Sequence, residues 1–582
     1  MAALATGDWL LLAVAASVLA PFLLAARGDL PDWLSVDGPL TTVRWARGGD
    51  ALDAVTRPAR AWRALWTAGI VVALAVAAVV LAVLVAAAAA TLLEPALGRV
   101  ATPQSVLSAP GIDGFLPLAV APAVAVALAV ALLGHETGHA LACRTDGIDV
   151  SAVGAVLVGV LPVGAFVEHD PESLDDADAS ARARMLAAGV TANFLVAAVA
   201  LALAAGPIAA AISPVSGVAV GGVVAGGPAA DAGIQPGDVI QRVDGVPVAN
   251  RSELDAAIDD QSRVVSAQLA TGDVVHVRRA LLVAKIAPGL RVDIQPNTRI
   301  LSVNGTEVDT VAGFRAAVRN RTVATLATTN GTYTLPVGVA VSRVARSGAL
   351  AAAGVPANAN VTILAVDGER TLTPDDLESV LEANEVGDTV PVRAVVDGTV
   401  RTYRVTLRAG VEGSPKLGVF YRVGTSGLVL ADFGVEAYPA DEYLDAFALR
   451  GSFEAGSVFD RVAGFLLLPV AGAVGMAPYD FPGFTGHVKN FYTVSGPLAA
   501  LGDWAFVVPT LLFWVVWVNL NVGLFNCVPA LPLDGGRLVH AAATGVRDRW
   551  LSERDVLPEA VTLAATAVVV ASLAVTLLAL AV

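Results

Sequence analysis

Six long apolar segments dominate the pattern of hydrophobic and polar positions along the chain. They cover residues 9–27, 69–94, 116–142, 184–212, 502–527 and 559–582. Each has about the 20 residues that an α-helix needs to cross the hydrocarbon core of a bilayer. The pattern therefore predicts a polytopic α-helical membrane protein with about six spans, interrupted by a large polar insertion between the fourth and fifth spans.

Two further apolar stretches do not fit spanning helices. Residues 149–167 are rich in Val and Gly and contain Pro162, which favours a β-hairpin that enters the membrane. Such backbone is tolerated at depth only where protein or a polar cavity satisfies its hydrogen bonds. Residues 457–480 are short for a span and, as a span, would move the last motif to the opposite face. We therefore predict a helix lying on the outer membrane surface.

The arginines set the expected orientation. The loop after the first segment contains Arg27, Arg44, Arg47, Arg57, Arg60 and Arg63. The positive-inside rule places such a loop in the cytoplasm, and alternation of the spans then puts the polar insertion outside the cytoplasm. The first segment lacks a positive n-region and an obvious cleavage site, so we predict an uncleaved helix. Five glycosylation sequons all fall in the insertion, at Asn250, Asn304, Asn320, Asn330 and Asn360.

The polar insertion contains an internal repeat. The pattern Ile-x-x-Val-(Asp/Asn)-Gly begins at Ile240, Ile300 and Ile363. We divide the insertion into copies at 214–284, 285–337 and 338–410. The first and third copies resemble PDZ domains, whereas the middle copy is shorter and more degenerate. The resemblance implies an α+β or β-rich extracytoplasmic region that binds extended peptides or peptide C-termini by adding them to a sheet edge. The alternative is a spacer that has kept the fold but lost the groove.

Composition narrows the possible partners and the source. The net charge of −15 argues against nucleic acid. Acidic residues are abundant, and the only lysines are Lys285, Lys416 and Lys489. This composition suits a protein from a halophilic archaeon; alternatively, it reflects a GC-rich genome. The two cysteines, Cys143 and Cys527, imply no disulfide framework. We interpret both as small buried apolar residues, although each lies close to a motif described next.

The third apolar segment ends in a pattern that carries chemistry. His135, Glu136 and His139 form His-Glu-x-x-His. Residues four apart on an α-helix differ by about 40° in direction, so both imidazoles can bind one metal ion. Ionisable groups inside a span are costly and are functional by default. Zinc needs a further protein ligand, and Asp534 at the inner end of the fifth segment is the candidate.

A second motif makes the resemblance specific. Asn526-Cys-Val-Pro529-Ala-Leu-Pro-Leu-Asp534-Gly-Gly, together with the His-Glu-x-x-His span, resembles the site-2 protease family of intramembrane zinc metalloproteases. Residues 189–193, GVTAN, match the family's Gly-x-x-x-Asn element, and residues 495–497 match its Ser-Gly-Pro stretch. The resemblance covers residues 116–212 and 485–545, and the PDZ region loosely.

This resemblance implies roles for individual residues. His135, His139 and Asp534 would bind Zn²⁺, and Glu136 would be the general base. Asn526 would stabilise the oxyanion or hold the substrate strand; alternatively, it caps the broken helix near Pro529. Two residues of the GVTAN element, Gly189 and Asn193, would line the substrate site together with Pro529, although helix packing explains the glycine equally well. The predicted hairpin would hold an unwound substrate segment by strand pairing.

The expected activity is hydrolysis of peptide bonds within or near transmembrane segments. The resemblance implies single-span membrane substrates that another protease has already cut outside. It also implies a multi-pass protein in the lipid bilayer of the cell membrane, with its active site near the cytoplasmic face. An inactive PDZ-bearing scaffold and a transporter are the alternatives. The chain is predicted to begin with the N-terminal spans and Arg-rich loop (1–115) and the first catalytic part (116–213). The three repeats (214–284, 285–337 and 338–410), a linker (411–498) and the C-terminal catalytic part (499–582) follow.

Overall fold

A computed structural model defines the fold, and the chain divides into two units. It describes residues 23, 28, 30–31, 33–37, 40–45, 55–93, 117–159, 161–258, 262–287, 290, 293–410, 413–451, 456–473, 476–550 and 556–581. The first unit comprises 1–213, 441–489 and 493–582, and the second comprises 214–440 and 490–492. The predicted first span at 9–27 lies outside the described residues, apart from Leu23.

Long helices build the first unit. They are α1 (Ala59–Leu93), α2 (Ala121–Asp146), α3 (Ala179–Leu203), α4 (Val507–Asn526), α5 (Asp534–Trp550) and α6 (Leu557–Ala581). Among the described residues, five helices are long and apolar enough to cross a bilayer, and these are all of the six except α5. Many of their large apolar side chains face outward, as lipid-facing helices require. The chain is therefore a membrane protein.

Small residues allow the central helices to pack closely. The helices α2, α3 and α4 pack against one another. A Cβ atom added at Gly138 would lie 2.5 Å from the Ala188 carbonyl oxygen, and one at Gly523 would lie 2.6 Å from the Phe194 ring. Only glycine permits these approaches, as is usual where membrane helices pack without a hydrophobic driving force.

The N-terminal part of the chain belongs to the same packed unit. Ala73 of α1 is buried in one cluster with Ala187 and Val190 of α3 and Leu538 of α5. At its start, α1 contributes Trp66, which packs in a neighbouring cluster with Ala142 and Ala188. The described N-terminal helix therefore supports the helices that carry the motifs.

A four-stranded antiparallel sheet lies beside α2. Its strands are β1 (Leu34–Asp37), β2 (Leu40–Trp45), β3 (Val150–Val158) and β4 (Leu161–His169), in that order. The segment predicted as a membrane hairpin thus folds as β3 and β4. The Arg-rich loop supplies β1 and β2, which extend the sheet with Leu40 opposite Val158. Strand β4 forms the edge that contacts α2.

The apolar stretch predicted at the outer surface contains a short helix. It runs over Val458–Leu467 and continues as a 3₁₀ turn to Val470. A capping box between Ser457 and Asp460 fixes its start. Ten residues of helix cover about 15 Å, roughly half of a hydrocarbon core.

Each of the three copies in the insertion forms its own sheet around its own hydrophobic core. The first contains β5 (Val218–Val223), β6 (Val239–Val243), β7 (Val264–Leu269) and β8 (Val274–Arg278). The second contains β9 (Leu282–Ile286), which lies outside the copy's main sheet, and three strands of that sheet, β10 (Ile300–Val303), β11 (Val323–Thr328) and β12 (Gly331–Pro336). The third contains β13 (Val339–Val344), β14 (Val361–Val366), β15 (Thr389–Val396) and β16 (Thr399–Thr406).

The segment after the third copy completes all three copies in reverse order. Strand β17 (Val419–Tyr421) pairs with β13, β18 (Leu428–Ala431) pairs with β9, and β19 (Val435–Ala437) pairs with β5. Strands of three or four residues carry no readable alternation, so the sequence predicted a linker here. The repeat region therefore extends to about residue 440.

Candidate metal centre

Two histidines meet one turn apart on α2. The Nε2 atoms of His135 and His139 are 3.1 Å apart, and their rings stand nearly perpendicular. This geometry follows from the four-residue spacing on a helix. Both side chains are buried within the first unit, with 9% and 14% of their surface exposed.

Asp534 begins α5 and closes the third side of this cluster. Its Oδ2 atom lies 3.0 Å from Nε2 of His135 and 3.3 Å from Nε2 of His139. The two following glycines make this possible, because a Cβ atom at Gly535 or Gly536 would lie about 2.5 Å from backbone atoms of the preceding turn. The structure therefore brings together the three residues that the sequence predicts as metal ligands.

Hydrogen bonds on the far side of each ring fix the histidine tautomers. Nδ1 of His139 lies 2.7 Å from the carbonyl oxygen of Met185, which can only accept, so Nδ1 carries the proton. Nδ1 of His135 lies 2.7 Å from Oδ1 of Asn193 and donates in the same way. In the neutral imidazoles, both Nε2 lone pairs then point into the cluster, as in metal-binding histidines.

The donor set fits zinc. Two nitrogen lone pairs and one carboxylate oxygen converge with no proton between them, which leaves an electron-rich site that a cation would stabilise. Tetrahedral zinc with metal–ligand distances of about 2.0–2.1 Å sets neighbouring donors roughly 3.3 Å apart, and the observed separations are 3.0–3.3 Å.

Gly189 of α3 forms the floor of the cluster. A Cβ atom at this position would lie 2.5 Å from Nε2 of His139 and 2.7 Å from Nε2 of His135. No side chain fits there without moving an imidazole. The glycine of the GVTAN element thus contacts the histidines directly, while Asn193 lies behind His135 and is fully buried.

Glu136 occupies the side of α2 that faces the sheet. It is half-buried, and its carboxylate lies close to the backbone of Val167 on β4. It also lines a largely apolar cavity of about 390 Å³ between α2 and the sheet, together with Val43, Trp45, Leu133, Thr137, Ala140, Val153, Gly154, Ala155 and Phe166. The carboxylate therefore lies between the histidine cluster and a cavity wide enough for a substrate side chain.

Two predicted residues lie where α4 ends: Asn526 is its last residue, and Pro529 lies on the turn that follows. The amide nitrogen of Asn526 donates to the carbonyl oxygen of Val522, one turn back, and the residue is half-buried. Pro529 is buried. The bond from Asn526 fits the alternative in which this residue caps the broken helix.

Two polar groups that the sequence motifs do not single out are buried in the first unit. Asn519 on α4 is fully buried and accepts a hydrogen bond from Asn193; its signal is a polar residue inside an apolar span. Asp146, at the end of α2, is buried between Arg63 of α1 and Arg184 of α3. The spacing of these three charges along the chain gives no sign that they pair.

Comparisons with known proteins find a matching family, a related protease and a structural neighbour. The family model of peptidase family M50 matches residues 123–572. The zinc metalloprotease RasP of Shouchella clausii (strain KSM-K16) is 28% identical over 127 residues, which are 20% of this chain and 28% of the relative. The chain thus matches less than a third of that relative's length. A solved structure, the PDZ domain of the SdrC-like protein of Listeria monocytogenes, covers 15% of this chain and 90% of its own length at 22% identity and a TM-score of 0.14.

Membrane helices around a His-Glu-x-x-His and Asp cluster are the arrangement that the sequence motifs predict. The match over residues 123–572 covers well over half of the chain, so the chain belongs to peptidase family M50. The resemblance found in the sequence motifs is confirmed.

Proposed function

We propose that this protein is an intramembrane zinc endopeptidase that hydrolyses peptide bonds within or near the transmembrane segments of other membrane proteins. The observation that carries the proposal is the buried convergence of His135, His139 and Asp534, with Glu136 between this cluster and a cavity. These three residues would hold the zinc ion. Bound there, zinc supplies the Lewis acidity that makes a water molecule acidic near neutral pH.

The protein's own groups then move the proton. The Glu136 carboxylate takes a proton from the attacking water as the water oxygen bonds to the carbonyl carbon of the scissile peptide. The same carboxyl group returns that proton to the leaving amine nitrogen as the C–N bond breaks. The neutral amide nitrogen would otherwise be a poor leaving group, so one residue serves both steps.

Strand β4 is the proposed binding surface for the substrate. An α-helical substrate hides its carbonyl groups in i to i−4 hydrogen bonds and must unwind before it can be cut. An unwound segment can pair with the edge of β4, which packs against α2 beside Glu136. We propose that Asn526, at the end of α4, and Pro529, on the turn that follows, contribute to this surface.

The remaining parts of the proposal concern orientation and substrate choice. We propose that the repeats lie outside the cytoplasm, that the metal centre lies near the cytoplasmic face, and that the substrates are single-span proteins already trimmed outside. The repeat region would exclude bulky untrimmed substrates, and its first copy would bind newly made C-termini.

Metal analysis and cleavage test the proposal together. Purified protein should hold about one zinc per chain and should cut a trimmed single-span substrate in liposomes. Asp534→Ala should lose most of the zinc and the cleavage, because two histidines alone bind weakly. An inactive scaffold would show no cleavage, a transporter would move a solute without cleavage, and wild-type protein free of zinc would reject the metal centre.

A further inference from the structure

Two asparagine side chains form a hydrogen-bonded chain behind His135. Oδ1 of Asn193 lies 2.7 Å from Nδ1 of His135, and Nδ2 of Asn193 donates to Oδ1 of Asn519 at 3.1 Å. Nδ2 of Asn519 donates to the carbonyl oxygen of Val515 at 2.8 Å. Both asparagines are completely buried. This series of hydrogen bonds connects three helices, from α2 through α3 to α4.

The neighbouring carbonyl groups fix which atom donates in each of these hydrogen bonds. The amide nitrogen of Asn193 also donates to the carbonyl oxygen of Ala131 at 3.0 Å. If the Asn193 amide turned over, its oxygen would face two acceptors and its NH₂ group would face the N–H of His135. Asn519 cannot turn over either, because its nitrogen is held by the carbonyl group of Val515. A buried amide whose partners do not match it destabilises the fold.

From this geometry we infer that Asn519 is a positioning residue for the metal centre, acting through Asn193. By holding the amide oxygen of Asn193 towards α2, it keeps the proton of His135 on Nδ1. The Nε2 lone pair of His135 then faces Asp534 and His139. The inference rests on the proposed function only in assuming that the His135 cluster binds zinc.

A packing role alone does not account for this arrangement. Leucine branches at the same carbon as asparagine, and an apolar side chain would fill a helix interface without a buried amide to satisfy. On the same helix, Asn521 makes the local bond to the carbonyl group one turn back, from Trp517, and is only half-buried. Asn521 is therefore a matched control that shares the residue type, the helix and the local bond.

The test compares zinc affinity in the full-length protein, measured by competition with a chelator. Asn519→Leu should weaken zinc binding about 3- to 10-fold. Loss of a group that hydrogen-bonds directly to a metal-binding residue typically weakens binding about 10- to 100-fold. The effect is smaller because the carbonyl group of Ala131 still orients Asn193. Asn521→Leu should leave the dissociation constant unchanged. The visible absorption of the Co²⁺-substituted protein should change in Asn519→Leu alone.

A double variant separates positioning from general loosening of the fold. If Asn519 acts through Asn193, then Asn519→Leu should add nothing to the loss already caused by Asn193→Ala. If Asn519→Leu does not fold, Asn519→Thr replaces it. A threonine can keep the bond to the carbonyl group of Val515, as Thr510 does with Phe506, but its side chain is too short to reach Asn193.

The outcomes distinguish this inference from the proposed function. Equal zinc affinities of Asn519→Leu and Asn521→Leu would overturn the inference, and so would a full additional loss in the double variant. Either result leaves a zinc-binding wild type, so the proposed metal centre would stand. Wild-type protein that binds no zinc would overturn both.

Discussion

Replacing Gly189 by alanine tests the packing of α3 against the metal centre. The new methyl group would lie 2.5 Å from Nε2 of His139 and 2.7 Å from Nε2 of His135. An ordinary contact needs 3.4 Å or more, so the helix or the imidazole must move by about 0.9 Å. Metal–ligand distances tolerate only about 0.2 Å, and a displacement near 1 Å at an active site can cost about 100-fold in rate.

We therefore expect Gly189→Ala to weaken zinc binding by about 100-fold, or about 2.7 kcal/mol, and to lose cleavage in parallel. The assay is chelator competition on detergent-solubilised protein, followed by cleavage of a trimmed substrate. Gly134→Ala is the matched control, because its methyl group would meet only Val196, at 3.7 Å. Wild-type zinc affinity in Gly189→Ala would refute the reasoning, since it would mean that the histidines are not in contact with α3.

Three further outcomes follow from the fold. Asp432→Ala should destabilise the repeat region by about 3–5 kcal/mol in thermal unfolding, because it leaves Arg279 buried without its carboxylate partner. The exposed ion pair that Asp255 forms should contribute less than about 1 kcal/mol to the free energy of unfolding. An impermeant thiol reagent should label a cysteine at Ser252 but not one at Asp176 in intact cells, and the reverse pattern would invert the proposed orientation. Deleting residues 214–440 should permit cleavage of untrimmed substrate if the repeats exclude it, or slow cleavage of trimmed substrate if they bind it; unchanged cleavage of both would reject both roles.

The sequence was most informative where chemistry has a fixed local spacing. His135 and His139 could be paired from a four-residue interval on a helix. Asp534 could be attached to them only through the family motif, because its approach depends on how α5 packs after the turn at 527–533. Long-range packing of this kind leaves no periodic trace in the chain.

Other parts of the fold had weaker signals. Residues 34–45 contain an Asp37-Gly38 step between short apolar runs, which is a hairpin signal, but the arginines around it indicated only a cytoplasmic loop. Their pairing with the later hairpin joins segments more than 100 residues apart and is set by tertiary contact. Strands β17, β18 and β19 are three or four residues long and could not be distinguished from a linker.

Asn193 shows how a motif can locate a residue without giving its role. The family pattern placed Asn193 at the substrate site, whereas the structure shows a fully buried side chain hydrogen-bonded to His135. Asn519, which accepts a hydrogen bond from Asn193, belongs to none of the sequence motifs. Polar residues inside apolar spans therefore warrant individual attention even when a stronger motif lies nearby.

The most direct test of the central claim is cleavage by Glu136→Gln with zinc content measured on the same sample. The amide keeps the shape of the side chain but cannot accept the proton of the attacking water. Glu172→Gln, an exposed change on the segment after β4, is the control and should behave as wild type. We predict full zinc occupancy with cleavage reduced at least about 1,000-fold. Cleavage near the wild-type rate would contradict the account, because another group would then be the base.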